Sequence, residues 1–519
     1  MSRKLLKSTA VVSGMTLISR VLGYLRDMVI AIGFGATGAT DAFFVAFRIP
    51  NLLRRMFAEG AFAQAFVPVI SEYKENRSVA EVQDLVDHVT GWLALVLIVI
   101  TTIGILAAPW LIWIFAPGFA SAPDQQALTV DMLRLTFPYV LFISLTALAG
   151  GILNSYGRFA VPAFTPSFLN LALIAAALWL APRLEQPVVA LAWGVFAAGA
   201  IQLVFQFPAL IRLGLLPRPR LKRAHAGVKR IMTLMLPALF GSSVVQINLM
   251  INTLIASFLV AGSISWLYYT DRFVELPMAI FGVALSTVIL PKLASEHTRK
   301  NAQAFTQTLD WGLRLALVVS LPAMLGLMLL ARPIFATLLQ YDQFTAHDSH
   351  MASLSLAVYA LGLPFFVLIK ILAPGFFSRQ DTRTPVKTGI ISVGVNLVYC
   401  AIVVIPWILL DLPAPHAVLA SATVCAAAVN AGQLFWRLKR DGSYAPQFGW
   451  VRLALQVLLA LLAMGVALWT FTPELAIWEQ WHAGQRALRL ASLIGLGAVT
   501  YLVALRLAGL DFRALLRAH

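Results

Sequence analysis

The chain has 519 residues, 60% hydrophobic and only 12% charged, with a mean hydropathy of +0.82. Soluble domains carry about 25% charged residues, so this is an integral membrane protein and not a globular domain with an anchor. The net charge of +16 does not signal nucleic acid, because the basic residues cluster in short loops between apolar segments, where the positive-inside rule places them. Two cysteines, Cys400 and Cys425, both in apolar segments, exclude a disulfide framework or a thiolate cluster; the eight histidines show no ligand spacing, and no metal is expected.

A helix needs about 20 residues to cross the hydrocarbon core. Fourteen stretches qualify: 9–34, 40–70, 88–116, 131–155, 161–181, 187–212, 229–260, 264–291, 310–340, 351–377, 386–410, 414–437, 450–471 and 486–508. The basic start MSRKLLKSTA precedes the first of them, which runs past any signal-peptide core and carries Arg20 and Arg26, so it reads as a retained helix. One alternating set of loops holds nearly all the loop Lys and Arg, including Lys74, Arg77, Arg218, Arg220, Lys222, Arg223, Lys292, Arg299, Lys439 and Arg440; the opposite set is almost bare. That asymmetry predicts cytoplasmic N- and C-termini.

Charges stand inside these spans. Arg20 and Arg26 interrupt the first, on different faces. Asp41, Arg48, Arg54, Arg55 and Glu59 punctuate the second, with Asp41, Arg48 and Arg55 spaced by seven along one face. Asp271, Arg272 and Glu275 lie in the eighth and Lys370 in the tenth. A charge at bilayer depth costs ~2.5–3.5 kcal/mol on insertion scales, so such groups face a watery cavity or a partner. Two readings follow. The cations hold an anionic ligand, for which Arg is suited because its fork grips phosphate oxygens bidentately. Alternatively they pair with Asp41, Glu59, Asp271 and Glu275 as gating or cavity ion pairs; for Arg48 both readings stand, while Arg55 and Lys370 can also be positive-inside or snorkelling charges. No Walker A loop, Asp-rich diphosphate–metal motif, HExxH or nucleophile elbow is present, which favours a transporter over an enzyme.

A repeat runs at an offset of 224 residues: GATDAFFVAFRI (38–49) over GSISWLYYTDRF (262–273), Pro68 near Pro291, and Ser155 and Pro162 near Ser378 and Pro385. The offset spans six helices, an even number, so the halves share one topology. The expected architecture is all-α: an N-terminal lobe at 1–215, a parallel C-terminal lobe at 225–440 around a central cavity, and two further helices at 445–519. Such lobes suit alternating access.

The stretch SGMTLISRVLGYLRDMVIAIGFGATGATDAFFVAFRIPNLLRRMFAEGAFAQAFVPVISEY, with SWLYYTDRFVELPMAIFGVALSTVILP and PGFFSRQDTRTPVKTG, closely resembles the MurJ (MviN) family of lipid II flippases, within the multidrug/oligosaccharidyl-lipid/polysaccharide exporter superfamily. The resemblance covers essentially the whole chain. It implies movement of undecaprenyl-diphosphate-linked disaccharide-pentapeptide from the inner to the outer leaflet of the bacterial cytoplasmic (inner) membrane for peptidoglycan synthesis, with lipid II and membrane lipids as partners, and cell-wall synthases as candidate ones. It maps the family's central arginines onto Arg20, Arg26, Arg54 and Arg272, its acid before helix two onto Asp41, and further cavity charges onto Asp271, Glu275 and Lys370. It implies that the last two helices form a groove for the lipid tail. Some members bind sodium through an acid in helix seven; here that segment carries Asn248 and Asn252 and no carboxylate, so the sodium site does not carry over. No cofactor is implied. The excess of Arg over acid suggests dependence on the membrane potential. The competing readings are another exporter of that superfamily and a polyprenyl-phosphate enzyme or synthase scaffold.

Overall fold

In hydrocarbon a backbone N–H or C=O finds no water, so an apolar run must satisfy its own hydrogen bonds as a helix. The computed structural model, which describes residues 3–56, 62–221 and 225–512, follows that rule: it is helical from end to end, with no strand among the described residues. The helices used below are α1 (Arg3–Phe34), α2 (Gly38–Arg54), α3 (Ala63–Asn76), α4 (Val79–Leu106), α5 (Pro123–Ser155), α6 (Ala160–Arg183), α7 (Val189–Arg212), α8 (Ala226–Ala256), α9 (Ser263–Thr298), α10 (Ala302–Leu329), α11 (Ala346–Phe377), α12 (Arg383–Leu409), α13 (Pro415–Arg440), α14 (Trp450–Phe471) and α15 (Ala483–Leu507). Eleven of these, α4 to α7 and α9 to α15, are long and apolar enough to cross a membrane. The other three expected spans, 9–34, 40–70 and 229–260, fall on α1, on the α2–α3 pair and on α8.

Two element boundaries differ from expectation for identifiable reasons. The third span was expected from 88, but α4 starts at Val79. Ser78 accepts from the Glu81 amide while the Glu81 carboxylate accepts from the Ser78 amide, and this capping box launches polar turns that a hydropathy window discards. The second expected span is not one α-helix: α2 ends at Arg54 and α3 begins at Ala63.

The duplication is written into the irregularities. A π-helical turn at Ala176–Leu180 in α6 recurs at Cys400–Val404 in α12, at the repeat's own offset of 224 residues. A third π turn, Met278–Val283, follows Pro277 in α9, where the ring removes an N–H and the ladder shifts register.

By packing, the chain forms two compact units, Met1–Ser265 and Trp266–His519. In the first, Phe66, Val69 and Ile70 of α3, Leu85 and Val86 of α4, Ile152 and Leu153 of α5 and Ile231 of α8 make one buried cluster. The repeat assigns α8 to the second half of the sequence, yet its apolar face is buried with the first unit, so the duplication boundary and the packing boundary are distinct. Gly91 of α4 lets the segment after α7 run in contact with the helix: a Cβ there would stand 2.2 Å from the Arg220 carbonyl oxygen.

In the second unit α14 packs on α15 and on α10. Asp310 of α10 secures the chain leading into α14, accepting from Arg314 Nε (2.6 Å), Tyr444 Oη (2.7 Å), Trp450 Nε1 (2.8 Å) and the Gln447 amide (3.2 Å). Burial, together with that bond to Asp310, holds the Tyr444 phenol far above its ordinary pKa. Arg486, at the start of α15, closes the other end by donating to the carbonyls of Ala336, Trp478 and Glu479.

Candidate functional site

The charged residues singled out in the sequence separate into three groups. The first is uncommitted. Arg20, in the middle of α1, is exposed and has no hydrogen-bond or ion-pair partner among the described residues. Lys370 of α11 is likewise exposed and without such a partner there, its stem lying along Gly282. A bare cation at bilayer depth demands water or an anion.

The second group is half-buried and held in position. Arg54 donates from Nε to Asn51 Oδ1 at 2.8 Å, one turn back on α2. Arg48 donates to the Thr253 hydroxyl of α8. Arg55 is half-buried at the end of α2. On α9, Arg272 reaches Glu275 Oε2 at 3.0 Å and the Tyr268 hydroxyl at 3.0 Å, and its guanidinium lies 5.0 Å over the Tyr268 ring. Asp271 is half-buried and Glu275 exposed. Glu59 lies outside the described residues.

The third group is spent on structure. Arg26 is 6% exposed; its Nε and Nη2 donate to Asp27 Oδ1 at 2.9 and 2.6 Å, and Nη1 donates to Asn170 Oδ1 at 3.0 Å. Asn170 in turn donates to the Ser19 carbonyl, so α6 is laced to α1 through this buried pair. In the sequence Arg26 reads as a cation for a ligand and Asp27 does not stand out; on the helix, i,i+1 neighbours do not face each other by Cβ direction, yet the long Arg side chain folds back to Asp27.

Asp41 was read as a cavity acid or a partner for Arg48. It is neither in this arrangement. Its carboxylate is buried, with Oδ2 accepting from the Gly262 amide (2.7 Å) and Oδ1 from the Ser265 amide (2.8 Å) and hydroxyl (2.6 Å). It caps the first turn of α9 from another helix, a position where a negative charge also meets the positive end of the helix dipole. Ser265 is the residue that the 224-residue repeat places over Asp41, so the starts of the two duplicated helices are bonded to each other.

Leu317 and Leu321 of α10 and Trp450, Leu453, Ala454, Val457, Leu458 and Leu461 of α14 line an open apolar hollow of about 320 Å³. It offers hydrocarbon contact and almost no polar group.

Eleven helices long and apolar enough to cross a membrane, with no strand among the described residues, define a polytopic helical membrane protein. Residues 30–491 match the family model described as lipid II flippase MurJ. A protein of Vibrio cholerae named probable lipid II flippase MurJ is 45% identical over 99% of this chain and 98% of its own length. The lipid II flippase MurJ of Burkholderia cenocepacia is 44% identical over 90% of each chain. Among solved structures, a lipid II flippase MurJ in an inward closed conformation superposes with a TM-score of 0.80 at 26% identity, covering 98% of this chain and 99% of that one. An inward-facing multidrug MATE transporter of the MOP superfamily shares the fold at a TM-score of 0.66 and 12% identity, over 84% of this chain and 98% of its own. The chain belongs to the lipid II flippase MurJ family, a family of multi-pass membrane transporters and not of enzymes.

Proposed function

We propose that this protein carries lipid II, an undecaprenyl-diphosphate-linked disaccharide-pentapeptide, from the inner to the outer leaflet of the cytoplasmic membrane for peptidoglycan synthesis, with both termini in the cytoplasm. The observation that carries the reading is that Arg20 in the first unit and Lys370 in the second are exposed with no hydrogen-bond or ion-pair partner among the described residues, while Arg54 and Arg272 are positioned, each within its own unit, partly by neutral partners. A diphosphate needs cations at membrane depth, and Arg meets it bidentately. Its polyprenyl tail needs none and can stay in hydrocarbon; the apolar hollow between α10 and α14 fits such a chain. Arg48 and Arg55 supply further positive charge on α2. Asp271 and Glu275 set the local balance around Arg272. Neither a cofactor nor a sodium step enters the reading.

Arg20→Ala, Arg54→Ala and Arg272→Ala, assayed with lipid II in proteoliposomes, are expected to slow flipping at least about 10-fold each, since a charge-assisted contact is worth about 1.5–3 kcal/mol. Melting temperatures should stay near wild type. Flipping at wild-type rate by all three would remove the site.

The same cations supply a driving force. An inside-negative potential favours outward movement of an anionic headgroup, by ~2.3 kcal/mol per charge per 100 mV, and favours inward return of a cationic empty site. Flipping in vesicles is therefore expected to accelerate as the potential is raised from zero to physiological values; equal rates would exclude it.

A further inference from the structure

Three chemistry-bearing side chains meet far in sequence from the site above. Asp84 and His88 are one turn apart on α4, where i and i+4 side chains share a face. His225 sits immediately before α8 as its N-cap. The two imidazoles stack with centroids 5.0 Å apart and planes 22° from parallel. The Asp84 carboxylate lies against both: Oδ1 is 3.3 Å from His88 Nδ1, and Oδ2 is 3.4 Å from His225 Nε2. One ligand atom from each residue falls within 4.8 Å of the other two.

We propose that Asp84, His88 and His225 form a binding site for a divalent transition-metal ion, with Zn²⁺ the best match. Two imidazoles and one carboxylate are a ligand set that zinc takes, at bond lengths of ~2.0–2.2 Å in a tetrahedron. Such bonds put neighbouring ligand atoms ~3.3–3.4 Å apart; Asp84 Oδ1 stands at that spacing from His88 Nδ1 and Asp84 Oδ2 from His225 Nε2, so each carboxylate oxygen is at ligand distance from one ring. Three protein ligands leave the fourth position for water. The eight histidines showed no ligand spacing in the sequence because the third ligand arrives from another helix.

The frame around the cluster is built. His88 is 4% exposed, and its Nδ1 lies 2.7 Å from the Asp84 carbonyl oxygen, a bond that it gives up on taking the ion through Nδ1. The segment that leads towards His225 is tied down along α4: Asp87 Oδ1 accepts from the Arg218 amide (2.8 Å), the Arg220 amide donates to the Asp87 carbonyl (3.1 Å), and Gln83 Nε2 donates to the Leu216 carbonyl (3.0 Å). Groups of this kind hold ligands at a distance suited to the ion before it arrives. The Asp84 carboxylate is about half exposed, which gives the ion a path from solvent.

Binding has a consequence for α8. His225 Nδ1 accepts from the Gly227 and Val228 amides at 3.2 and 3.4 Å, capping the helix. Coordination through Nε2 puts the remaining ring proton on Nδ1, so it exchanges this long-bonded cap for a metal bond. The ion would fasten the start of α8 to α4 while releasing the first amides of α8.

The test uses full-length protein in detergent, with its purification tag removed and residual metal stripped with a chelator, titrated with ZnCl₂ by calorimetry. The wild type should bind one more Zn²⁺ than the Asp84→Asn/His225→Gln double variant, or bind the first ion at least about 10-fold more tightly, and Zn²⁺ should raise its melting temperature but not the variant's. Identical stoichiometry and affinity in the two proteins would overturn the site and place any bound zinc on other groups. If the double variant fails to fold, Asp84→Asn alone, which changes a half-exposed side chain and keeps its shape, decides by the same comparison.

Discussion

Asp41→Ala is expected to destabilise the folded protein by about 3 kcal/mol, because the substitution removes the carboxylate that accepts from two backbone amides and a hydroxyl at the start of α9. These donors are buried with Asp41, and each buried donor left without a partner costs about 1–3 kcal/mol, offset in part by relaxation. The loss of a negative charge at a helix N-terminus adds about 0.3–1 kcal/mol. Asp41→Asn keeps one oxygen acceptor and should lose roughly half as much. Unfolding of the detergent-solubilised protein followed by circular dichroism reads this directly. An Asp41→Ala variant that melts with the wild type would show that the cap does not hold α9. The experiment also separates two ways of losing transport, because a cargo-contacting acid would lower flipping without lowering stability.

Asp27→Ala carries a comparable effect from a different cause. It leaves the Arg26 guanidinium buried in α1 with only Asn170 Oδ1 among the partners named above, and breaking a buried ion pair from one side costs about 3–5 kcal/mol. Replacing both members with apolar residues of similar size, Arg26→Met with Asp27→Leu, should recover stability to within about 1 kcal/mol of wild type, since the pair's attraction largely offsets its desolvation. Chemical denaturation of the two variants tests the contrast, and equal destabilisation in both would refute it. The recovered double variant then answers a functional question in the proteoliposome assay. Flipping that persists assigns Arg26 to architecture; flipping that fails in a stable protein assigns it to the cargo.

These two residues show where a linear reading stops. Asp41 stands out in the sequence as a charge in an apolar span. Its spacing of seven from Arg48 suggests a shared face, and the shared face suggests a pair. In the structure the Arg48 guanidinium goes to Thr253 and the Asp41 carboxylate to Gly262 and Ser265. Helical periodicity states which side chains point the same way; it does not state what lies opposite. Arg26, expected to face a ligand, bonds its own neighbour in this arrangement. The rule that neighbours do not face each other holds for Cβ directions, but a guanidinium on a three-carbon stem can turn back to Asp27 at 2.6 Å. Arg20 and Lys370 are exposed, with no ion-pair or hydrogen-bond partner among the described residues.

Hydrophobic length, loop charge and the 224-residue repeat were enough to determine an all-helical, multi-pass transporter, since a backbone in lipid has no other way to satisfy its polar groups. The structure adds π turns in α6 and α12 that recur at the same offset of 224 residues. Only tertiary structure decided which charges are spent and which remain, that α8 is buried with the first unit, and that His225 is delivered to Asp84 and His88. Each of those depends on which helix face meets which. That choice comes from packing shape and from desolvation of a few polar atoms, both set by residues far apart in the chain.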